Sequence, residues 1–267
     1  MNTRLLWWVW PPLVGGLSLV GFTVIDLGED VFITGMLVLG PLFAFLAALI
    51  GTRVPGNPIS WLMLVVGLAV PVGASIYPFI PTSAPAEATF WLAVGVAFIE
   101  FSWVLFIFPV LLMLYLFPTG SFLTPRWQWA GWLTAGMVGT MVFFALFSEQ
   151  LSSTEHGWSV PTPFGFIPVT FFEGWFGPVW GALLAILALG GLVAIVIRYR
   201  RSNLEERTQL KWVVFSASAF AVFYAATASS SDYFTATNFF SVGYAVTFGL
   251  LPVSMTVAIT KYRLYEI

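Results

Sequence analysis

Apolar runs of about twenty residues recur along this chain from one end to the other, and few features restrict a fold more. In an α-helix, which rises about 1.5 Å per residue, such a run matches a hydrocarbon core roughly 30 Å thick. With 59% hydrophobic and only 8% charged residues, the chain cannot cover itself with the polar surface of a soluble domain, where charged residues are roughly a quarter of the total. The runs are continuously apolar, whereas a barrel strand alternates over about ten residues, so helices are preferred.

Eight such segments can be read, approximately 5–25, 31–50, 59–80, 89–117, 129–147, 175–197, 212–228 and 239–260. The fold class that follows is all-α: a polytopic transmembrane helical bundle of about eight spans in one domain over residues 1–267. Pro11 and Pro12 are expected to begin or kink the first span, because each lacks a backbone donor. Arg4 followed by an apolar run has the outline of a signal peptide, but no A-x-A cleavage site follows, so the segment is read as an uncleaved first helix. The connectors 52–58 and 118–128 are rich in Pro, Gly, Ser and Thr, which marks them as turns. No internal repeat is evident.

Lys and Arg near span ends are retained on the cytoplasmic side, and here their distribution is one-sided. Arg4, Arg53, Arg126, Arg198, Arg200, Arg201, Arg207, Lys211, Lys261 and Arg263 are all ten of the basic residues, and all fall on alternate connectors or termini. The opposite side holds Asp26, Glu29, Asp30, Glu87, Glu149, Glu155, Glu173 and Asp232. Both termini are therefore predicted in the cytoplasm, in a multi-pass protein of the cell (plasma) membrane. Trp7, Trp8, Trp10, Trp61, Trp127, Trp129, Trp175 and Trp212 lie near span ends, the headgroup depth that suits amphipathic rings. Gly131, Ala135 and Gly139, like Gly177, Gly181 and Ala185, recur every four residues and predict helix faces that allow close backbone approach.

Chemistry is sparse. There is no cysteine and a single histidine, His156, hence no thiolate nucleophile, no disulfide framework and no base beside a nucleophile. Phosphate-cradling, zinc-protease, esterase and kinase signatures are missing. No catalytic, cofactor-binding or metal-ligating residue is assigned, and the chain is not expected to be an enzyme. Asp26, Glu29 and Asp30 are read as a solvated acidic loop, since three carboxylates without further oxygen ligands make a poor cation site.

The predicted cytoplasmic connectors carry four strings. They run from Arg53 through Asn57 and Pro58 to Trp61, then from Leu116 through Pro118, Gly120 and Pro125 to Arg126 and Trp127. The third joins Arg198, Arg200 and Arg201 to Glu206, Arg207, Gln209, Lys211 and Trp212, and the last contains Arg263 and Tyr265. In that order, over roughly residues 50–267, they resemble the N-terminal membrane region of a large group of actinobacterial and related sensor histidine kinases. The resemblance implies a membrane sensor whose phosphoacceptor helix and ATP-binding module lie further along the polypeptide or on a partner. These 267 residues contain no such module, so no autokinase activity is expected of them.

The strings also make local physical sense. Asn57-Pro58 closes a turn and gives the third span a fixed start. Ser202-x-x-Glu205 has capping-box spacing for the entry to the seventh. The basic cluster from Arg198 to Arg201 needs only topology and anionic lipid to explain it, and nucleic acid is not an expected partner.

Two candidate sensing features remain. One is Glu100, within the fourth segment between Phe98, Phe101 and Trp103; a charged carboxylate in hydrocarbon is costly, so it should be protonated or face a hydrated cavity as part of a sensing site, or else be a neutral carboxyl that hydrogen-bonds a neighbouring helix at the outer boundary. The other is the outer connector 148–174, whose His156, Trp158, Phe164, Phe166, Phe171 and Phe172 can contact a ligand, enter the headgroups or pack over the bundle, packing being favoured. The expected function is a membrane-embedded sensory input domain of a bacterial two-component signalling system. Its partners would be the lipid bilayer, a cytoplasmic kinase or other output module, and a second copy in a homodimer. A small transporter or channel, or a structural subunit of a membrane complex, is the alternative.

Overall fold

The computed structural model of the chain describes residues 3–24, 31–154, 156–202, 207, 210–216, 218–219 and 238–263. A helical turn α1 (Thr3–Leu6) and a 3-10 turn (Trp7–Val9) lead into α2 (Trp10–Val24). Pro11 and Pro12 fall in the first turn of α2. Helical turns precede them, so they do not begin the helix, and the 3-10 turn Trp7–Val9 lies just before them. α3 (Val31–Arg53) and α4 (Pro58–Ile76) follow, and Asn57 caps α4 by accepting from the Ile59 N–H at 3.0 Å, with Pro58 at the first helical position.

The segment expected to be one helix over 89–117 is two, α5 (Phe90–Phe101) and α6 (Val104–Leu116), bent by 50° at Ser102 and Trp103. No Gly or Pro sits at the break, and Pro109 lies inside α6 without ending it. The two halves share α4 and α7 (Trp129–Phe147) as neighbours and differ in the rest. α5 also packs on the strand β1 (Gln150–Ser153), while α6 also packs on α9 (Gly177–Arg201). Trp103 fixes the corner, its ring edge-on to Trp180 of α9 at 5.7 Å.

Between α7 and α9 the chain forms an antiparallel hairpin of β1 with β2 (Trp158–Pro161), then a one-turn helix α8 (Val169–Phe171) and a π-helical turn (Phe172–Phe176). The last described helix is α10 (Asn238–Arg263). Of the seventh segment, 212–228, most lies outside the described residues, although 210–216 is helical through 216. The acidic loop of Asp26, Glu29 and Asp30 and the position of Glu205 also lie outside them.

Five described helical stretches are long and apolar enough to cross a membrane: Trp7–Val24, Ile33–Arg53, Pro58–Phe79, Pro125–Phe147 and Val169–Arg201. The bent pair α5–α6 makes one more if taken as a single span. Together they mark a membrane protein. Large apolar side chains such as Val38, Phe45, Ile186, Leu189 and Val193 stand exposed along these helices, as expected where the solvent is hydrocarbon.

Three apolar clusters hold the bundle. The first joins α3, α4, α6 and α10 around Phe43, Met63, Met113, Phe248 and Met255. The second joins α6, α7 and α9 around Phe108, Tyr115, Met137 and Trp180. The third seats the hairpin on the ends of α4 and α5 through Ile80, Ala93, Val96, Leu151, Trp158 and Val160. Close backbone approach occurs at Gly40 and Gly67, where a methyl on either would lie 2.8–2.9 Å from the other's carbonyl oxygen. The spaced small residues of α7 and α9 do not serve that end within this chain: Gly139 and Gly181 face open space and Gly131 meets only the Phe122 ring. There the large rings of Trp180 and Phe108 set the helix separation.

Candidate functional site

Polar groups gather at two opposite ends of α6. At the first, strand alternation decides the geometry. Leu151, Ser153, Trp158 and Val160 point to the bundle while Gln150, Ser152 and Ser159 point away, so the hairpin presents one apolar face. Ser152 and Ser159 pair across the outer face with their hydroxyls 2.9 Å apart. Trp158, only 7% exposed, donates its indole N–H to the Pro81 carbonyl at 2.8 Å. Gly157, at φ +66°, sits just before β2.

This places Thr154, at the hairpin tip, over the last turn of α5. Its backbone N–H and its hydroxyl donate to the two carboxylate oxygens of Glu100 at 2.7 and 2.8 Å. Of the surroundings expected for Glu100, the structure shows a hydrogen-bonded one, and its partner is the tip of a loop rather than a neighbouring helix. The His156 ring lies 5.2 Å from that of Tyr77, and its buried Nε2 has no hydrogen-bond partner among the described residues. Tyr77, Glu100 and Ser153 border a cavity of about 10 Å³, room for one water at most.

Glu100, His156, Trp158 and Phe164, singled out separately in the sequence, are thus gathered under or beside one hairpin, with Phe164 packed against its apolar cluster and against Phe90 at 5.9 Å. Phe166 is not: it is 66% exposed and joins Phe143 and Phe147 at the end of α7. Thr154, Tyr77 and Pro81 escaped sequence reading, since nothing in a Thr, a Tyr or a Pro announces a partner more than fifty residues away. The assembly is a latch in its chemistry. It has a carboxylate, an imidazole and hydroxyls, but among the described residues no group of three or more His, Cys, Asp or Glu converges to hold a metal.

The other end of α6 is built around Arg198. The expectation that topology and lipid contact suffice for this residue does not hold: its side chain turns inward and is only 9% exposed. One guanidinium nitrogen donates to the Tyr115 carbonyl at 2.8 Å and to the Ser121 carbonyl, and the other to the Thr119 hydroxyl at 3.3 Å. The planar fork suits several acceptors at once. Tyr115 in turn donates its hydroxyl to the Leu187 carbonyl of α9 at 2.6 Å, its ring lying against Gly190 and Gly191.

The loop so held is tight. It contains the cis Phe117-Pro118 bond and Gly120 at φ +77°, whose N–H donates to the Leu116 carbonyl at 2.8 Å. A Cβ at 120 would lie 2.6 Å from the Asn57 amide oxygen, so glycine answers both the backbone conformation and the close approach. The string around Asn57 and Pro58, the string around Pro118 and Gly120, and Arg198 therefore interlock.

The remaining motif residues stand around this clamp. Trp127 packs on Tyr115 with ring centroids 5.9 Å apart, and Trp61 on Trp7 at 4.5 Å. Arg207 donates to the Tyr199 carbonyl at 3.2 Å and lies over the Tyr199 ring. Arg53, Pro125, Arg126, Arg200, Arg201, Lys211 and Trp212 are exposed. Ser202, read as the opening of a capping box, instead bonds backward to the Arg198 carbonyl at 2.7 Å and closes α9. Glu206, Gln209 and Tyr265 lie outside the described residues, as does the side chain of Arg263.

Comparison with known proteins gave no identification: no protein-family model matches the chain, and no match was found among curated proteins or solved structures.

Proposed function

We propose that this chain is a membrane-embedded sensory input domain of a bacterial signal-transduction system, not itself catalytic, that passes a conformational signal to a cytoplasmic kinase or other output module. In this reading it makes eight spans in the plasma membrane with both termini inside, so the hairpin end faces outward and the arginine end faces the cytoplasm. The one-sided placement of all ten basic residues supports that orientation.

The observation that carries the reading is the position of α6. It starts at the break just after Glu100, which the hairpin tip holds, and ends at Tyr115 and Leu116, where the Arg198 clamp begins. Its 13 residues make a rod of roughly 20 Å. A stimulus that binds the docked and undocked hairpin unequally shifts the population of the two, and the rod carries the change to the clamp. The test uses the cysteine-free chain in lipid vesicles with Ser121→Cys as reporter. Thr154→Ala and Glu100→Leu should each change its thiol-labelling rate several-fold, whereas an unchanged rate in both refutes the coupling.

The break at Ser102–Trp103 also favours a second reading, a small transporter, because discontinuous helices line many transport sites. Solute uptake into vesicles that depends on Glu100, with no change at Ser121→Cys, would select it.

A further inference from the structure

The bend between α5 and α6 leaves a groove against α7, and we propose that it is a binding site for one acyl chain of a membrane lipid. The groove has a volume of about 270 Å³, with Ala97 and Phe101 on one wall, Met141, Val142 and Ala145 on the other, and Ser102 at the corner. An apolar cavity of about 150 Å³ already stays dry and takes up benzene, so this space favours hydrocarbon over water.

Three observations select an acyl chain as the occupant. Among the described residues the walls carry no charged group, and their one hydroxyl, that of Ser102, already donates to the Ile99 carbonyl at 3.2 Å, so a headgroup finds no partner in them. The α7 wall runs from Val138 to Leu146, in the half of that helix nearer the hairpin, a depth at which the surrounding medium is lipid tails. The mouth is continuous with the lipid-facing surface, since Val142 and Phe143 beside it are both about half exposed. Two small side chains, Ala97 and Ala145, leave the space that larger residues would fill.

The site adjoins the latch. Phe101 and Ser102 follow Glu100 directly, so a chain seated in the groove props the bend that positions Glu100 beneath Thr154. Building on the sensory reading, this makes the lipid tail, and through it the state of the outer leaflet, the stimulus. Occupancy itself does not depend on that reading.

The full chain in phosphatidylcholine–phosphatidylglycerol vesicles carrying a trace of lipid with a mid-chain diazirine tests occupancy without any signalling readout. Adducts after photolysis should be several-fold enriched at Ala97, Met141 and Ala145 over Leu189 and Val193, two exposed apolar positions of α9. Ala145→Phe and, separately, Ala97→Leu fill the groove from opposite walls, and each should abolish the enrichment. Even labelling of all lipid-facing helices overturns the proposal, as does enrichment that survives both filled variants. Adducts formed there by a free apolar diazirine but not by the lipid would also overturn it. If the lipid adducts appear but Ser121→Cys never responds to Glu100→Leu, the site stands and the sensory reading falls.

Discussion

The two ends of α6 are held by polar contacts of opposite character. At the arginine end a buried guanidinium satisfies two backbone carbonyls and a hydroxyl, inside loops that also interlock with Asn57. At the hairpin end the contacts of Thr154 with Glu100 are exposed, and the hairpin is otherwise seated by one small apolar face and one indole hydrogen bond. Buried polar groups are costly to leave unpaired, whereas exposed ones exchange their partners for water at little loss. One end is a fixed clamp. The other is a contact that can open.

That contrast can be broken by mutation. The largest effect is expected for Arg198→Met, which strands the buried Tyr115 carbonyl and releases the exposed loop residue Ser121. Each buried group left unsatisfied costs about 1–3 kcal/mol, so thermal unfolding in detergent should shift down by several degrees or more. Arg198→Lys should rescue little, because a single ammonium cannot reproduce the fork. A variant as stable as the parent would show that the clamp is not fixed at all.

An intermediate effect is expected at Trp158. Trp158→Phe keeps most of the packing and removes the bond to Pro81, a net loss of about 1 kcal/mol. It should speed hydrogen exchange in the hairpin amides 150–161 well beyond the smaller change passed along α6 to those of 113–121. Equal acceleration at both ends would mean that the hairpin does not open ahead of the clamp.

Much of the scaffold was legible because it follows from solvent. Continuous apolar runs required helices, and Asn57-Pro58 announced the start of α4 through an ordinary capping preference. The break in the fourth segment was not legible, since Ser102 and Trp103 carry no backbone signal and only packing marks it, α5 meeting the hairpin strand and Trp103 meeting Trp180 of α9. The hairpin was hidden for a related reason. Its strands, Gln150–Ser153 and Trp158–Pro161, are four residues each, too short for alternation to stand out from a loop. Arg198 was misleading in another way, because a basic residue at a span end already has an explanation in topology, and only packing shows that it points inward. Glu100 and His156 drew notice as lone polar residues, but their gathering under one hairpin depends on folding back across more than fifty positions.

The smallest effect is expected for Glu100→Gln, which keeps one acceptor oxygen for Thr154 and replaces the other by an amide nitrogen. Because the bonds are exposed, stability should fall by no more than about 1 kcal/mol, while hairpin exchange increases measurably. A loss as large as that of Arg198→Met would erase the difference between the ends.

The proposed topology puts the two ends in opposite compartments, and that can be measured directly. The chain has no cysteine, so a single one can be placed at Ser152 on the outer face of the hairpin or at Thr119 beside the clamp, both exposed. With an impermeant maleimide, Ser152→Cys should react in intact cells, and Thr119→Cys should react only after the membrane is permeabilised. Labelling of Thr119→Cys in intact cells, with Ser152→Cys protected until permeabilisation, would contradict the account.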